Sequence, residues 1–355
     1  MPEPLYGRSL DRRGLAARSG DPRVAGGVRA VTLDDGDGRG VRLLEFRTAA
    51  GLDADVLVDR AMDLGELRLR GRNLAFLSPT GVRHPAFHRG EEEEGLGFLR
   101  SFSGALVTVG LDHAFGPATS DAVRYAYPGR ARTVHGLHGR IANLPARLVG
   151  YGERWDEEGR TCTLWAEGEV RQAAVFGEHL TLRRRIEAPL HAPRLRIVDE
   201  ATNHGFEPVP HRLLWHVDFG WPLVDDATRL RLPAQRNQAP REVGPLGPPL
   251  AGRPEEVDAL HPAGDDEGRA EATIVNPELG LGVRLRWRID AMPAFLLWRH
   301  LRAGAYAVGF EPSTHAIDDP PGPHGELAPG EVRRYELELE AADGDVARGW
   351  IAGDV

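Results

Sequence analysis

The stretch Val283-Arg284-Leu285-Arg286-Trp287-Arg288-Ile289 decides the fold. Apolar and charged residues alternate without a break, so a β-strand would send every apolar side chain to one face. Tyr335-Glu336-Leu337-Glu338-Leu339-Glu340 repeats the pattern, and residues 41–48 and 180–187 follow it more loosely. Between such runs the chain is punctuated by 43 Gly and 27 Pro, too many for a helical protein. No 3.6-residue period is sustained beyond a short turn near residues 10–17. The pattern predicts an all-β, antiparallel protein whose strands pack as a large sandwich. Residues 89–95, with four consecutive Glu, read as a solvated tip. Residues 233–266, rich in Pro, Gly and charge, read as a surface crossing between strands. Neither stretch breaks the composition as a linker would, so one domain over residues 1–355 is expected.

Composition removes several classes of function. A net charge of −9 disfavours nucleic acid or an anionic membrane as partner. Every basic residue is Arg; without Lys there is no Schiff-base chemistry and no P-loop. The single Cys, Cys162, allows neither an intramolecular disulfide nor a cysteine-based metal cluster. It sits in a strand-like run with no activating charge beside it, which points to packing. The N-terminus, Met1-Pro2-Glu3-Pro4, has no basic-then-apolar signal, and no run reaches membrane length. A cytoplasmic protein is expected.

Chemistry is concentrated in two strand-like segments. The first is Arg212-Leu213-Leu214-Trp215-His216-Val217-Asp218-Phe219-Gly220-Trp221-Pro222. Alternation gives Leu213, Trp215, Val217 and Phe219 one face, and Leu214, His216 and Asp218 the other. The second is Ala305-Tyr306-Ala307-Val308-Gly309-Phe310-Glu311-Pro312, with Ala307, Gly309 and Glu311 on one face. Small neighbours leave Glu311 open to a ligand, and Pro312 is expected to end the strand. A histidine and a carboxylate on rigid strands suit proton transfer. Each also has a plainer reading: an imidazole satisfied by Asp218, and a rim Glu capping a loop amide.

Two further clusters are polar. His135-Gly136-Leu137-His138-Gly139-Arg140 offers two His and an Arg on a close-approach backbone. His-x-x-His without a supporting carboxylate is a weak metal signal, and a clamp for hydroxyl groups fits better. Arg60 and Asp63 form either a structural ion pair near a turn or a ligand contact. Of the aromatics near these segments, Trp215, Phe219, Trp221 and Trp298, most read as core, with one or two free to stack on a sugar ring.

Taken together, these segments resemble the aldose 1-epimerases (galactose mutarotases), most closely the mutarotase-like branch designated DUF4432. The resemblance runs through Leu57-Val58-Asp59-Arg60-Ala61-Met62-Asp63, Leu74-Ala75-Phe76-Leu77-Ser78-Pro79-Thr80-Gly81, His135 to Arg140, His211 to Pro222, and Gly309-Phe310-Glu311-Pro312, followed by Leu327-Ala328-Pro329-Gly330-Glu331. It implies a β-supersandwich and a pyranose substrate handled without metal or cofactor. It implies His216 as general acid, Glu311 as general base and His138 as a sugar contact. Arg60, Arg140, Asp218 and Trp298 complete the expected binding shell. The expected partner is a small sugar, and the chain is expected to be a monomer or homodimer. A carbohydrate-binding or sensing protein on the same fold is the competing expectation.

Overall fold

The structure, a computed structural model, describes residues 5, 7–235, 238–317 and 325–352. Two antiparallel sheets dominate it. The front sheet has ten strands. Its path runs Gly27–Thr32, Arg42–Arg47, Leu52–Leu57, Asp63–Leu69, Leu106–Leu111, Arg212–Phe219, Ala305–Ser313, Ala294–Arg302 and Glu256–Leu260, and the tenth, Arg72–Asn73, pairs with Asp63–Leu69 off this path. The rear sheet has nine: Arg241–Val243, Arg229–Leu232, Arg269–Asn276, Leu281–Arg288, Val332–Asp343, Arg194–Asn203, His179–Pro189, Cys162–Ala173 and Ala146–Trp155. The fold is thus the all-β antiparallel sandwich that the period-two runs predict.

The alternation works as expected. Leu281, Val283, Leu285 and Trp287 are buried, as are Tyr335, Leu337 and Leu339. These side chains meet the inward face of the front sheet. Trp287 stacks on Phe295 at 5.1 Å between centroids, and Tyr335 packs on Trp215 at 5.0 Å. The looseness of residues 180–187 has a specific cause. Arg184 takes an inward position between Leu182 and Ile186 and is fully buried. Its guanidinium binds Asp199 beside it (2.7 Å) and Asp63 of the opposite sheet (2.7 Å). Asp63 also accepts from the Thr108 amide, and Asp199 from the Trp215 indole. A charge can be buried on such terms because every partner is present. Asp63 is therefore in an ion pair that joins the sheets, with Arg184 rather than Arg60.

Two expectations are corrected and a third is refined. Pro312 does not end its strand, which continues to Ser313. The ladder to the neighbouring strand pairs Leu214 with Ser313 and Val217 with Phe310, and is open between them. Proline has no N–H to donate there, so it is tolerated inside the sheet. Residues 233–266 are not a bare crossing. They contribute Arg241–Val243 and the edge strand Glu256–Leu260. The acidic tip is exposed at its glutamates, yet Gly95 is buried and its carbonyl accepts from the Leu137 amide at 2.7 Å. The loop therefore folds down over the outer face of the front sheet. The predicted turn near residues 10–17 is the helix Arg12–Ser19, capped by Asp11. Cys162 is buried, and its thiol is pushed up to about 12 by burial, which fits a packing role. Among the described residues, no helix is long and apolar enough to cross a membrane.

Candidate active site

The core-facing residues of Arg212–Phe219 leave His216 and Asp218 on the outer face of the front sheet, where loops cover them. The cross-strand register pairs Val217 with Phe310 and Asp218 with Gly309. Continued by one step, it sets Glu311 opposite His216. Cross-strand neighbours stand close enough for their side chains to interact. Here His216 Nε2 lies 3.2 Å from Glu311 Oε1. On its other side, His216 Nδ1 meets Asp218 Oδ1 at 2.5 Å. A ring nitrogen held by a carboxylate donates to it, so the opposite nitrogen is turned toward Glu311.

All three groups are buried, and their charges shift together. Burial opposes charging the imidazole, but Asp218 and Glu311 outweigh it and raise His216 to about 9. Burial raises Glu311 to about 7, with His216 pulling the other way. Burial likewise raises Asp218, again against His216. At neutral pH the site holds a protonated imidazole beside a carboxylate poised near its titration point.

Above this pair opens a cavity of about 750 Å³. Phe102 and Trp298 present their edges or faces to His216, with centroids at 4.9 and 5.3 Å. Trp298 stacks on His300 and donates from its indole to Glu255 at 3.0 Å. His138 lies across from His216 at 6.0 Å, edge-on to Phe98. Its backbone is left-handed (φ 61°), and its amide N–H donates a hydrogen bond to the Phe115 carbonyl. Burial, then His216 and His113, lower its pKa to about 3, so its ring is neutral and can both donate and accept. Its Nδ1 is buried without a hydrogen-bond partner.

The structure brings His216, Glu311, His138 and Trp298 to one cavity. It does not bring Arg60, Arg140 or Asp218 to the wall. Arg60 is buried beneath the covering loops and donates to the carbonyls of Ala142, Ser101 and Arg83. Burial lowers its pKa to about 10. Arg140 donates to the Val134 carbonyl and pairs with Asp112 at 3.6 Å. Asp218 is fully buried behind His216. Backbone carbonyls hold both guanidinium groups, with Asp112 also beside Arg140, and the imidazole takes one oxygen of Asp218.

Sequence reasoning missed Phe98, Phe102, Glu255 and His300, all of which line the cavity. Phe98 and Phe102 sit in a Gly- and Ser-rich loop without strand or helix period, so only their pairing across a loop could have signalled them. Glu255 lay in the stretch read as a crossing. Of the aromatics expected near the site, Trp215 and Phe219 belong to the core and Trp221 is exposed. Among the described residues, no group of three or more His, Cys, Asp or Glu is placed to hold a metal ion.

Comparison with known proteins agrees with this geometry at the level of fold. A provisionally assigned aldose 1-epimerase from Klebsiella pneumoniae superimposes with a TM-score of 0.79 at 20% identity, over 92% of this chain and 86% of that one. A galactose mutarotase-like protein from Clostridium acetobutylicum matches at 0.60 and 13% identity, over 89% and 98%. A galactose 1-epimerase from Lactobacillus acidophilus matches at 0.54 and 14%, over 89% and 99%. No significant match is found among curated protein sequences. The profile of a domain of unknown function, DUF4432, covers residues 38–341. With most of its length accounted for by that profile and its strands arranged as in the galactose mutarotase-like sandwich, the chain belongs to the DUF4432 family.

Proposed function

We propose that the chain interconverts the α and β anomers of a pyranose, with Glu311 as base and His216 as acid. The observation that carries this reading is the 3.2 Å approach of His216 Nε2 to Glu311 Oε1 on the floor of an aromatic-walled cavity. Ring opening of a hemiacetal must take a proton from the anomeric hydroxyl and give one to the ring oxygen. Both oxygens are bonded to the same carbon, so the acid and base must stand side by side, as these two do.

Glu311 takes the hydroxyl proton while His216 protonates the ring oxygen. The C1–O5 bond breaks and an aldehyde forms. Rotation about C1–C2 presents the other carbonyl face. The ring then closes with the two roles reversed, and both groups return to their starting states. Asp218 holds the imidazole and stabilises its charge but touches no substrate. The neutral His138 offers a hydrogen bond to a sugar hydroxyl, and Trp298 an apolar face to the C–H side of the ring. A non-catalytic sugar sensor would have no use for an acid and base already paired.

Anomer exchange of a panel of aldoses, followed by polarimetry or NMR, tests the reading. Glu311→Gln and His216→Asn should each lose roughly 10²–10⁴-fold in rate while keeping the wild-type melting transition. Unchanged rates in both variants would sink it. Saturable binding without any exchange would instead mark a sugar-binding protein.

A further inference from the structure

The cavity is polar at its floor and mainly apolar at its rim, where the exposed Glu255 carboxylate is already held by the Trp298 indole. His216, Glu311 and His138 lie deep. Four aliphatic side chains line the outer part: Leu96, Leu99, Val257 and Ile317. Each is substantially exposed, at 37%, 50%, 43% and 50%. Large apolar side chains left in water and gathered around one opening mark a binding surface. The volume points the same way. About 750 Å³ falls in the range of sites that bury drug-sized ligands, and a single pyranose would leave much of it empty. The described lining also holds no arginine.

From this we infer that the substrate is a reducing sugar carrying an apolar substituent, with its anomeric carbon on the floor and its substituent against the aliphatic rim. The inference rests on the proposed anomerase reading. A second sugar ring fits the rim less well. Its hydroxyls would be desolvated against leucine, valine and isoleucine with few partners, at a cost that aliphatic contact does not offset. An alkyl or acyl group loses nothing there and gains on the order of fourfold in affinity for each methylene buried.

The test compares kcat/KM for anomer exchange of D-glucose, its 4-O-butyl and 6-O-butyl ethers, and maltose, with the matching galactose series. One butyl ether should exceed its parent sugar by at least tenfold, and by on the order of two hundredfold if all four carbons are buried. Maltose should not. Leu99→Asn and Ile317→Asn should each narrow the ratio of butyl ether to parent. Parent sugars equal to or better than both ethers, or a preference for maltose, would overturn the inference while leaving anomerase activity in place. If no sugar is exchanged, the proposed function fails, and calorimetry with the same compounds decides the inference separately. Tighter binding of a butyl ether than of its parent upholds the apolar class, and equal or absent binding rejects it.

Discussion

Gly309 lies directly under His216: a Cβ built on it would stand 3.0 Å from His216 Cε1 and 3.0 Å from Asp218 Oδ1. The glycine is what lets the imidazole and its carboxylate lie flat on the neighbouring strand. Trp298 is paired to the same residue from the other side, so the floor of the cavity depends on the missing side chain. Gly309→Ala should therefore tilt the His216–Asp218 pair. We expect kcat to fall by more than KM changes, with a stability loss of about 1–3 kcal/mol from overpacking. A variant with wild-type kcat would show that the pair tolerates displacement.

Asp218 orients His216 and supplies most of the attraction that offsets its burial. Asp218→Asn should lower the imidazole pKa and shift the basic limb of the kcat/KM profile to lower pH. The rate at the optimum should drop roughly tenfold or more, as the ring loses its fixed orientation. An unmoved basic limb would mean that another group controls it.

The wild-type profile should be bell-shaped. The proposed reaction needs Glu311 ionised, above about 7, and His216 protonated, below about 9. These limbs belong to the coupled carboxylate–imidazole–carboxylate set. The same shifts bear on stability. His216 is raised from 6.5, so its contribution is complete below that value and is lost as pH rises through about 9. Glu311 is raised from 4.5, so its contribution is lost as pH rises through about 7. Together they predict stability that falls between about pH 4.5 and pH 9. Denaturant midpoints across that range check the sign, and Glu311→Gln should flatten the lower half of the fall.

Arg184 neutralises Asp63 and Asp199 between the sheets. Arg184→Met removes the cation and leaves two buried carboxylates. The expected loss is about 3–5 kcal/mol, read as a lower urea midpoint. Adding Asp63→Asn and Asp199→Asn to that variant should recover part of it. A single variant as stable as wild type would show that water reaches the cluster.

Much of this was legible because burial leaves a local mark. Trp215 and Phe219 declare the core face of their strand two residues at a time, and His216 and Asp218 follow on the opposite face without reference to any other segment. Arg184 was not legible, since an arginine in a loose alternation looks like a solvent-facing residue until its two carboxylates are found. Arg60 misled for the related reason that an arginine's sequence neighbours do not reveal whether carbonyls will consume its donors.

By itself, the sequence determined the sandwich, the core faces of its strands, and His216 and Glu311 as polar residues on outward faces. Those properties follow from side-chain periodicity within one strand. Tertiary structure alone decided that His216 faces Glu311, that Asp218 is buried against the imidazole, and that Phe102, Glu255 and the aliphatic rim share their cavity. Those facts depend on register between distant strands and on loops folded over a sheet, and neither is written in the period of any one segment.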